Sequence, residues 1–356
     1  MEGSKIATKS GSAPACALLL ALLLLLGLSS SSAASSTTEL GAQAATSQEN
    51  GTVPAVVTTG VPAEKIDSDQ VATEEEASQA TPEELSASTD SNTAPDGADK
   101  DDALIVRFLD VGQGDCAIIT CGGHSLLIDG GPPEASSKVY SVLRRLEISN
   151  IDYVVATHPD ADHIGGLSGA LTASTCGAFF CSTETSDTST FDNLLTRVRG
   201  QGLSVRVPSA GDVLFLGGAT VTFIGPVKAI PNSENNNSLV VRISFGSNTF
   251  LFLGDAEEEE ETSMVSAGVN LSADVLKVAH HGSSSSSSLA FLRKVQPSYA
   301  VISVGDNDYG HPTAATIGRL QSVGAEILRT DEVGSVIMTS DGSSISVTST
   351  KGNIDV

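Results

Sequence analysis

The sequence predicts an α/β fold, an αββα sandwich in which two mixed sheets pack face to face beneath outer helices. Three observations lead there. Over about the last 250 residues, short apolar runs rich in Val, Ile, Leu and Phe recur between Gly, Asp and Asn turns. Helix-length amphipathic segments are interleaved with them. The order runs strands, then a helix, then strands and helices alternating in each of two halves, and sheets arranged in this way need both faces covered. A sandwich of this kind gathers its loops along one edge.

The apolar pattern begins at Ala103-Leu104-Ile105-Val106-Arg107-Phe108. Strands are predicted at 104–111, 116–120 and 125–128, with Gly122-Gly123-His124 as a hairpin turn that leaves His124 in solvent. A helix at 137–146 and a strand at 153–156 follow. Further strands are predicted at 205–207, 213–216, 221–224, 238–244, 250–253, 275–278, 299–303 and 336–338, and helices at 191–200, 257–266, 288–294 and 313–322. The five consecutive glutamates at 257–261 read as a helix start, where the N-terminal dipole favours acids. The serine run at 283–288 reads as a flexible loop.

Residues 1–34 are expected to be a signal peptide. Lys5 and Lys9 precede an apolar run at 15–28, small residues follow, and cleavage after Ala34 fits a small-x-small site. That run falls short of the roughly 17–25 apolar residues of a comfortable span; an uncleaved anchor is the alternative. With no other long apolar segment, no transmembrane domain is expected after signal removal, and the protein is expected to be secreted or held at the cell surface. Residues 35–102 are expected to be a disordered acidic linker rich in Ser, Thr, Ala and Glu. Between residues 29 and 100, thirteen acidic residues face only Lys65 and Lys100, and too little apolar surface is available to offset chain entropy. The folded domain is expected at 103–350. Its cysteines, Cys116, Cys121, Cys176 and Cys181, suggest disulfides in an exported chain, the local pairs Cys116–Cys121 and Cys176–Cys181 being one of three connectivities. A four-cysteine zinc site and buried thiols are the alternatives.

Tyr153-Val154-Val155-Ala156-Thr157 reads as a buried strand, and His158-Pro159-Asp160-Ala161-Asp162-His163-Ile164-Gly165-Gly166 follows at once. Two histidines and two carboxylates so close together repel or stay poorly satisfied without a cation, so a metal explains the cluster economically. A helix-capping role would account for Asp162 alone. Pro159 stiffens the loop, and Gly165-Gly166 allow the next helix to pack close.

This segment resembles the His-x-His-x-Asp-His signature of the metallo-β-lactamase superfamily, with Asp160 replacing the second histidine. The replacement is similar to that in the hydrolase domain of competence-type DNA-internalisation (ComEC) proteins and in bacterial phosphorylcholine esterases. Four other segments resemble the competence family in order and spacing: Phe108-Leu109-Asp110-Val111-Gly112-Gln113-Gly114-Asp115, Leu127-Ile128-Asp129-Gly130-Gly131, Leu251-Phe252-Leu253-Gly254-Asp255 and Val278-Ala279-His280-His281-Gly282-Ser283. The resemblance runs from about Leu104 to Val347.

It implies that His158 and Asp160 serve one metal, that Asp162 and His163 serve a second, and that Asp255 bridges both. A plain turn aspartate is the alternative for Asp255. One or both of the adjacent pair can face the site; His281 is the favoured ligand, with His280 oriented behind it or exchanged with it. His311, in Gly310-His311-Pro312, resembles a late Gly-His-Pro element of the family and has three readings: a ligand of the second metal, a proton donor to the leaving oxygen, or a surface turn. Many superfamily members place a metal-binding histidine between the signature and the bridging aspartate, whereas no histidine lies here between His163 and His280. Asn235-Asn236-Asn237-Ser238 occupies that stretch, and Asn237, Ser238 and Ser283 are candidate substrate contacts, with an ordinary Asn-rich loop as the alternative for the first two.

Three carboxylates, Asp160, Asp162 and Asp255, would balance much of the charge of two divalent ions, for which zinc is expected and manganese is a competitor. The resemblance implies a hydrolase, and the leader its export: a phosphodiesterase or nuclease that uses a metal-bound hydroxide, with Asp162 and His311 as catalytic side chains and DNA or a smaller phosphodiester as substrate. From residue 101 onward, 29 acidic residues outnumber 15 basic ones, within a net charge of −24. Tight non-specific nucleic-acid binding, which depends on Lys and Arg neutralising phosphates, is therefore not expected. A lactone or β-lactam hydrolase of the same fold and a non-catalytic exported binding module are the rival readings.

Overall fold

The computed structural model describes residues 103–351. The signal peptide expected at 1–34 and the linker expected at 35–102 lie outside the described residues. The first half of the domain holds β1 (Leu104–Phe108), β2 (Ala117–Cys121), β3 (His124–Ile128), α1 (Ser136–Arg145), β4 (Asn150–Ala156), α2 (Ala161–Ile164), α3 (Leu167–Ala173), β5 (Thr175–Cys181), α4 (Ser189–Gly200) and β6 (Val205–Arg206). The second half holds β7 (Val213–Leu216), β8 (Ala219–Gly225), β9 (Val240–Phe245), β10 (Asn248–Phe252), α5 (Glu258–Ser266), β11 (Val275–Lys277), α6 (Leu289–Val295), β12 (Tyr299–Ile302), α7 (Ala314–Ser322), β13 (Glu326–Arg329), α8 (Thr330–Val333), β14 (Val336–Ser340) and β15 (Ile345–Ser349).

These strands form two mixed sheets, one in the order β15-β14-β1-β2-β3-β4-β5-β6 and the other β13-β12-β11-β10-β9-β8-β7. The strands β3 to β6 pair in parallel in the first, as do β10 to β13 in the second. Successive strand side chains point to opposite faces, so Leu104, Val106 and Phe108 of β1 all enter the space between the sheets. There Phe108 stacks on Phe252 at 5.6 Å, with Leu126, Phe223, Phe250 and Met338 in the same core. The outer face of the first sheet is covered by Val139 and Leu143 of α1, Leu167 of α3 and Phe191 of α4. Met264 of α5, Phe291 of α6 and Leu320 of α7 cover the second. The layers are the predicted αββα sandwich, and among the described residues no helix is long and apolar enough to cross a membrane.

Several expectations change. The first strand stops at Phe108, because the chain then turns through Gly112 and Gly114, both with positive φ. The glutamate run is not a solvated helix start throughout: Glu260 and Glu261 are 0% exposed. Glu260 accepts a hydrogen bond from Val227 N (2.8 Å), and Glu261 accepts from Ser288 N (2.8 Å) and Ser287 N. The serine run is consequently an ordered turn, with Ser286 and Ser287 buried and the Ser286 carbonyl held by Arg319 at 2.8 Å. Among the described residues no cysteine is in a disulfide. Cys176 and Cys181 sit in β5 five positions apart, about 16 Å along an extended strand, beyond the 4.4–6.8 Å Cα spacing a disulfide requires. All four thiols are buried, and burial raises the pKa of Cys176 and Cys181 to about 11.

Candidate metal centre

One edge of the sandwich collects the carboxyl ends of parallel strands from both sheets, the place where α/β sheets bind ligands. The first sheet delivers Asp129 after β3, and Thr157 to Asp160 after β4, with Asp162 and His163 on α2. The second delivers Asp255 after β10, His280 and His281 after β11, and Ser303 and the loop to His311 after β12. Glycines permit the approach of the two sides. A Cβ at Gly166 would collide with the Gly130 carbonyl, and Gly254, at φ +52°, sits against Thr157 and Ser238 where a side chain has no room.

Asp255 organises the cluster. Its Oδ2 lies 3.9 Å from His158 Nε2 and 3.7 Å from His280 Nε2. Its Oδ1 lies 3.1 Å from His163 Nε2 and 3.7 Å from His281 Nε2. The two oxygens thus divide four histidines into two pairs. Asp160 Oδ2 joins the first pair at 3.5 Å from His158 Nε2, and Asp162 Oδ2 joins the second at 3.2 Å from His281 Nε2. Possible ligand atoms of His158, His163 and Asp255 lie within 4.8 Å of one another, as do those of Asp162, His163 and His281.

The donor set fits divalent cations. His158 Nε2, His163 Nε2, His281 Nε2 and Asp255 Oδ1 are buried without a hydrogen-bond partner, a state that is costly unless an ion or water satisfies it. Electrostatics point the same way. Burial would lower the pKa of His163, yet Asp255 and Asp129 outweigh it and hold the imidazole well above its ordinary value. His281 is likewise raised to about 10, burial being overcome by Asp255, Asp115 and Asp162. Burial would raise the Asp255 carboxyl, but His163 and His281 hold it well below the usual range. The site calls for positive charge, and imidazole with carboxylate suits zinc or manganese.

Backbone strain marks the same place. His280 (φ 49°, ψ 45°) and His281 (φ 50°, ψ 25°) occupy the left-handed region in succession, each at a cost of order 1–3 kcal/mol. That twist turns both rings toward Asp255, one to each half of the cluster. Of the readings the sequence left open, one or both histidines facing the site, the structure shows both facing it. No histidine lies between His163 and His280 in the sequence, and it is His280 that joins His158 at Asp255 Oδ2.

The remaining candidates fall around this cluster. His311 places its ring 5.5 Å from His280 at an interplanar angle of 80°. Burial, then the charges of His280 and His281, lower its pKa. Ser238 is buried, and its hydroxyl accepts a hydrogen bond from Asp255 N at 3.1 Å, so it sets the aspartate rather than facing a substrate. Asn237 is turned toward its own loop, with Oδ1 accepting from Ile230 N (2.7 Å) and Nδ2 donating to Ile230 O (2.8 Å). Ser283 pairs with Ser285 at 2.9 Å, and Ser285 donates to Glu257 at 2.7 Å, 3.3 Å from which lies His280 Nδ1.

A supporting layer escaped the sequence reading. Asp129 accepts from Thr157 N (2.8 Å) and Thr157 Oγ1 (2.7 Å), and its Oδ2 lies 2.9 Å from His163 Nδ1. His281 Nδ1 lies 2.9 Å from the Ser303 carbonyl and 3.3 Å from Asp115 Oδ1. The other oxygen of Asp115 pairs at 2.7 Å with Lys277, a lysine only 3% exposed. Such partners fix ring orientation and ligand basicity. Asp129 and Asp115 both lie in the segments that carry the family resemblance, the one signal that pointed to them.

Residues 109–306 match the metallo-beta-lactamase superfamily. ComE operon protein 3 of Bacillus subtilis is 30% identical over 250 residues, covering 65% of this chain and 32% of that protein. Competence protein ComA of Neisseria gonorrhoeae is 29% identical over 245 residues, covering 68% of this chain and 33% of that protein. The chain therefore spans about a third of the length of these curated relatives. Among solved structures, the metallo-beta-lactamase fold protein YhfI of Bacillus subtilis superimposes with a TM-score of 0.47 at 16% identity, covering 67% of this chain and 100% of that one.

Proposed function

Because the chain belongs to the metallo-β-lactamase superfamily, and is related to competence proteins, we propose that it is an exported, metal-dependent phosphodiesterase. The observation behind this reading is the division of Asp255, whose two oxygens each face a histidine pair that has a further carboxylate beside it. The first half comprises His158, His280 and Asp160, the second His163, His281 and Asp162. Divalent ions bound there supply Lewis acidity and a water of lowered pKa.

The protein's own groups do the rest. Asp129 and the Ser303 carbonyl hold the far nitrogens of His163 and His281, so each presents Nε2 inward. Ser238 fixes the backbone of Asp255. His311 stands beside His280, and with its pKa lowered by burial and by the charges of His280 and His281 it is the side chain placed to exchange a proton with a group held at the cluster. The acidic surface favours a substrate held at the cluster over one gripped along a charged backbone.

The test is metal content together with turnover of linear DNA, RNA and bis-p-nitrophenyl phosphate by the wild type and by Asp162→Ala. The wild type should hold divalent metal and cleave a phosphodiester, and the variant should lose more than about 100-fold in rate, the scale of losing one electrostatic stabiliser. Undiminished activity in the variant, or cleavage of nitrocefin alone, would end this reading.

A further inference from the structure

Tyr309 has no evident structural reason to be where it is. Among the described residues it is the most exposed large apolar side chain, at 76%. Its ring lies 5.7 Å from that of His311 at an angle of 31°, and His311 in turn meets His280. Three rings therefore run in file from solvent to the cluster. The loop beneath them is firmly set. Asn307 Oδ1 accepts from Tyr309 N and His311 N, each at 3.1 Å, while its Nδ2 donates to Gly305 O (2.8 Å) and His311 O (3.0 Å).

A bare aromatic ring on a preorganised loop beside reactive residues is the form a binding surface takes. The chemistry of the surface narrows the ligand. With acids outnumbering bases from residue 101 onward, contacts to flanking phosphates are in short supply, whereas stacking on a ring face is insensitive to that charge and accepts any base. We propose that Tyr309 is a stacking platform for a planar aromatic group, a nucleobase, next to the phosphodiester presented to the cluster. This inference rests on the phosphodiesterase reading.

Two esters with one leaving group test it: thymidine 5′-(p-nitrophenyl phosphate), which carries a base, and methyl p-nitrophenyl phosphate, which does not. KM and kcat are measured for both with metal-loaded wild type, Tyr309→Ala and Tyr309→Phe. The wild type should show the lower KM for the thymidine ester. That KM advantage should shrink about 10-fold in Tyr309→Ala, within the range of one base–aromatic stack, and persist in Tyr309→Phe. An unaltered advantage in Tyr309→Ala would overturn the proposal. So would an equal fall in kcat on both esters, which would make Tyr309 a mere prop for His311. Cleavage of neither ester by the wild type would instead defeat the phosphodiesterase reading. The platform would then be judged by equilibrium dialysis of thymidine 5′-monophosphate, where about 10-fold weaker binding by Tyr309→Ala supports it, and equal or absent binding rejects it.

Discussion

Asp129 is not among the seven candidate ligands, yet it makes three polar contacts on which they depend: two hydrogen bonds from Thr157 and one contact with His163. An amide has one acceptor oxygen where the carboxylate has two, so Asp129→Asn keeps the shape and loses part of the network. Metal affinity should fall about 10–100-fold, the usual cost of a lost outer partner, as read by competition with a chromogenic chelator; unchanged affinity would show that His163 needs no such support. Residues were legible in the sequence to different degrees for a physical reason. His158, Asp160, Asp162 and His163 could be read because neighbours in sequence share one loop. Asp115 and Asp129 had only the resemblance of their segments to mark them, and Lys277 had nothing, since their significance comes from contacts between strands, such as Lys277 with Asp115 across the sandwich.

At the scale of elements, α5 is more than a charged helix on the surface. Its Glu260 carboxyl is buried, and burial raises its pKa from 4.5 to about 7 against the opposing Val227 N–H. A carboxyl whose folded pKa is raised stabilises the fold fully only below 4.5, and that contribution is lost as pH climbs toward 7. Glu260→Gln keeps an acceptor for Val227 N and removes the buried charge. Its melting temperature at pH 8 should rise by about 2–4 °C, and its dependence on pH between 4.5 and 7 should flatten; calorimetry across that range checks both. Regular elements with strong apolar pattern, β1, β4 and β10 among them, were legible. β5 was not, because Thr175 and Gly177 break the apolar run. α3 was hidden by Gly169, a poor helix former that is present because a Cβ there would strike the Ser136 carbonyl of α1. β15, mostly serine and threonine at a sheet edge, has little burial to announce it.

Over the whole molecule, the order of strands and helices sufficed to give the layers, because each sheet had to bury both faces. It could not give the pairing of ends across the sandwich, on which the cluster depends. Divalent ions bind the folded form through ligands that are scattered in the unfolded chain, so they should stabilise it by mass action. At ions about 100-fold above Kd, stripping with chelator should lower the melting temperature by roughly 5–10 °C, and readdition should restore it. No change on chelation would argue against a shared centre.

The division of the ligands has a mechanical consequence. His158, Asp162 and His163 hang from one sheet, and Asp255, His280 and His281 from the other, so a cation held among them works as a rivet through two plates. Pulling the rivet should let the plates rock against each other along that rim, while their greasy middle, around Phe108 and Phe252, stays shut.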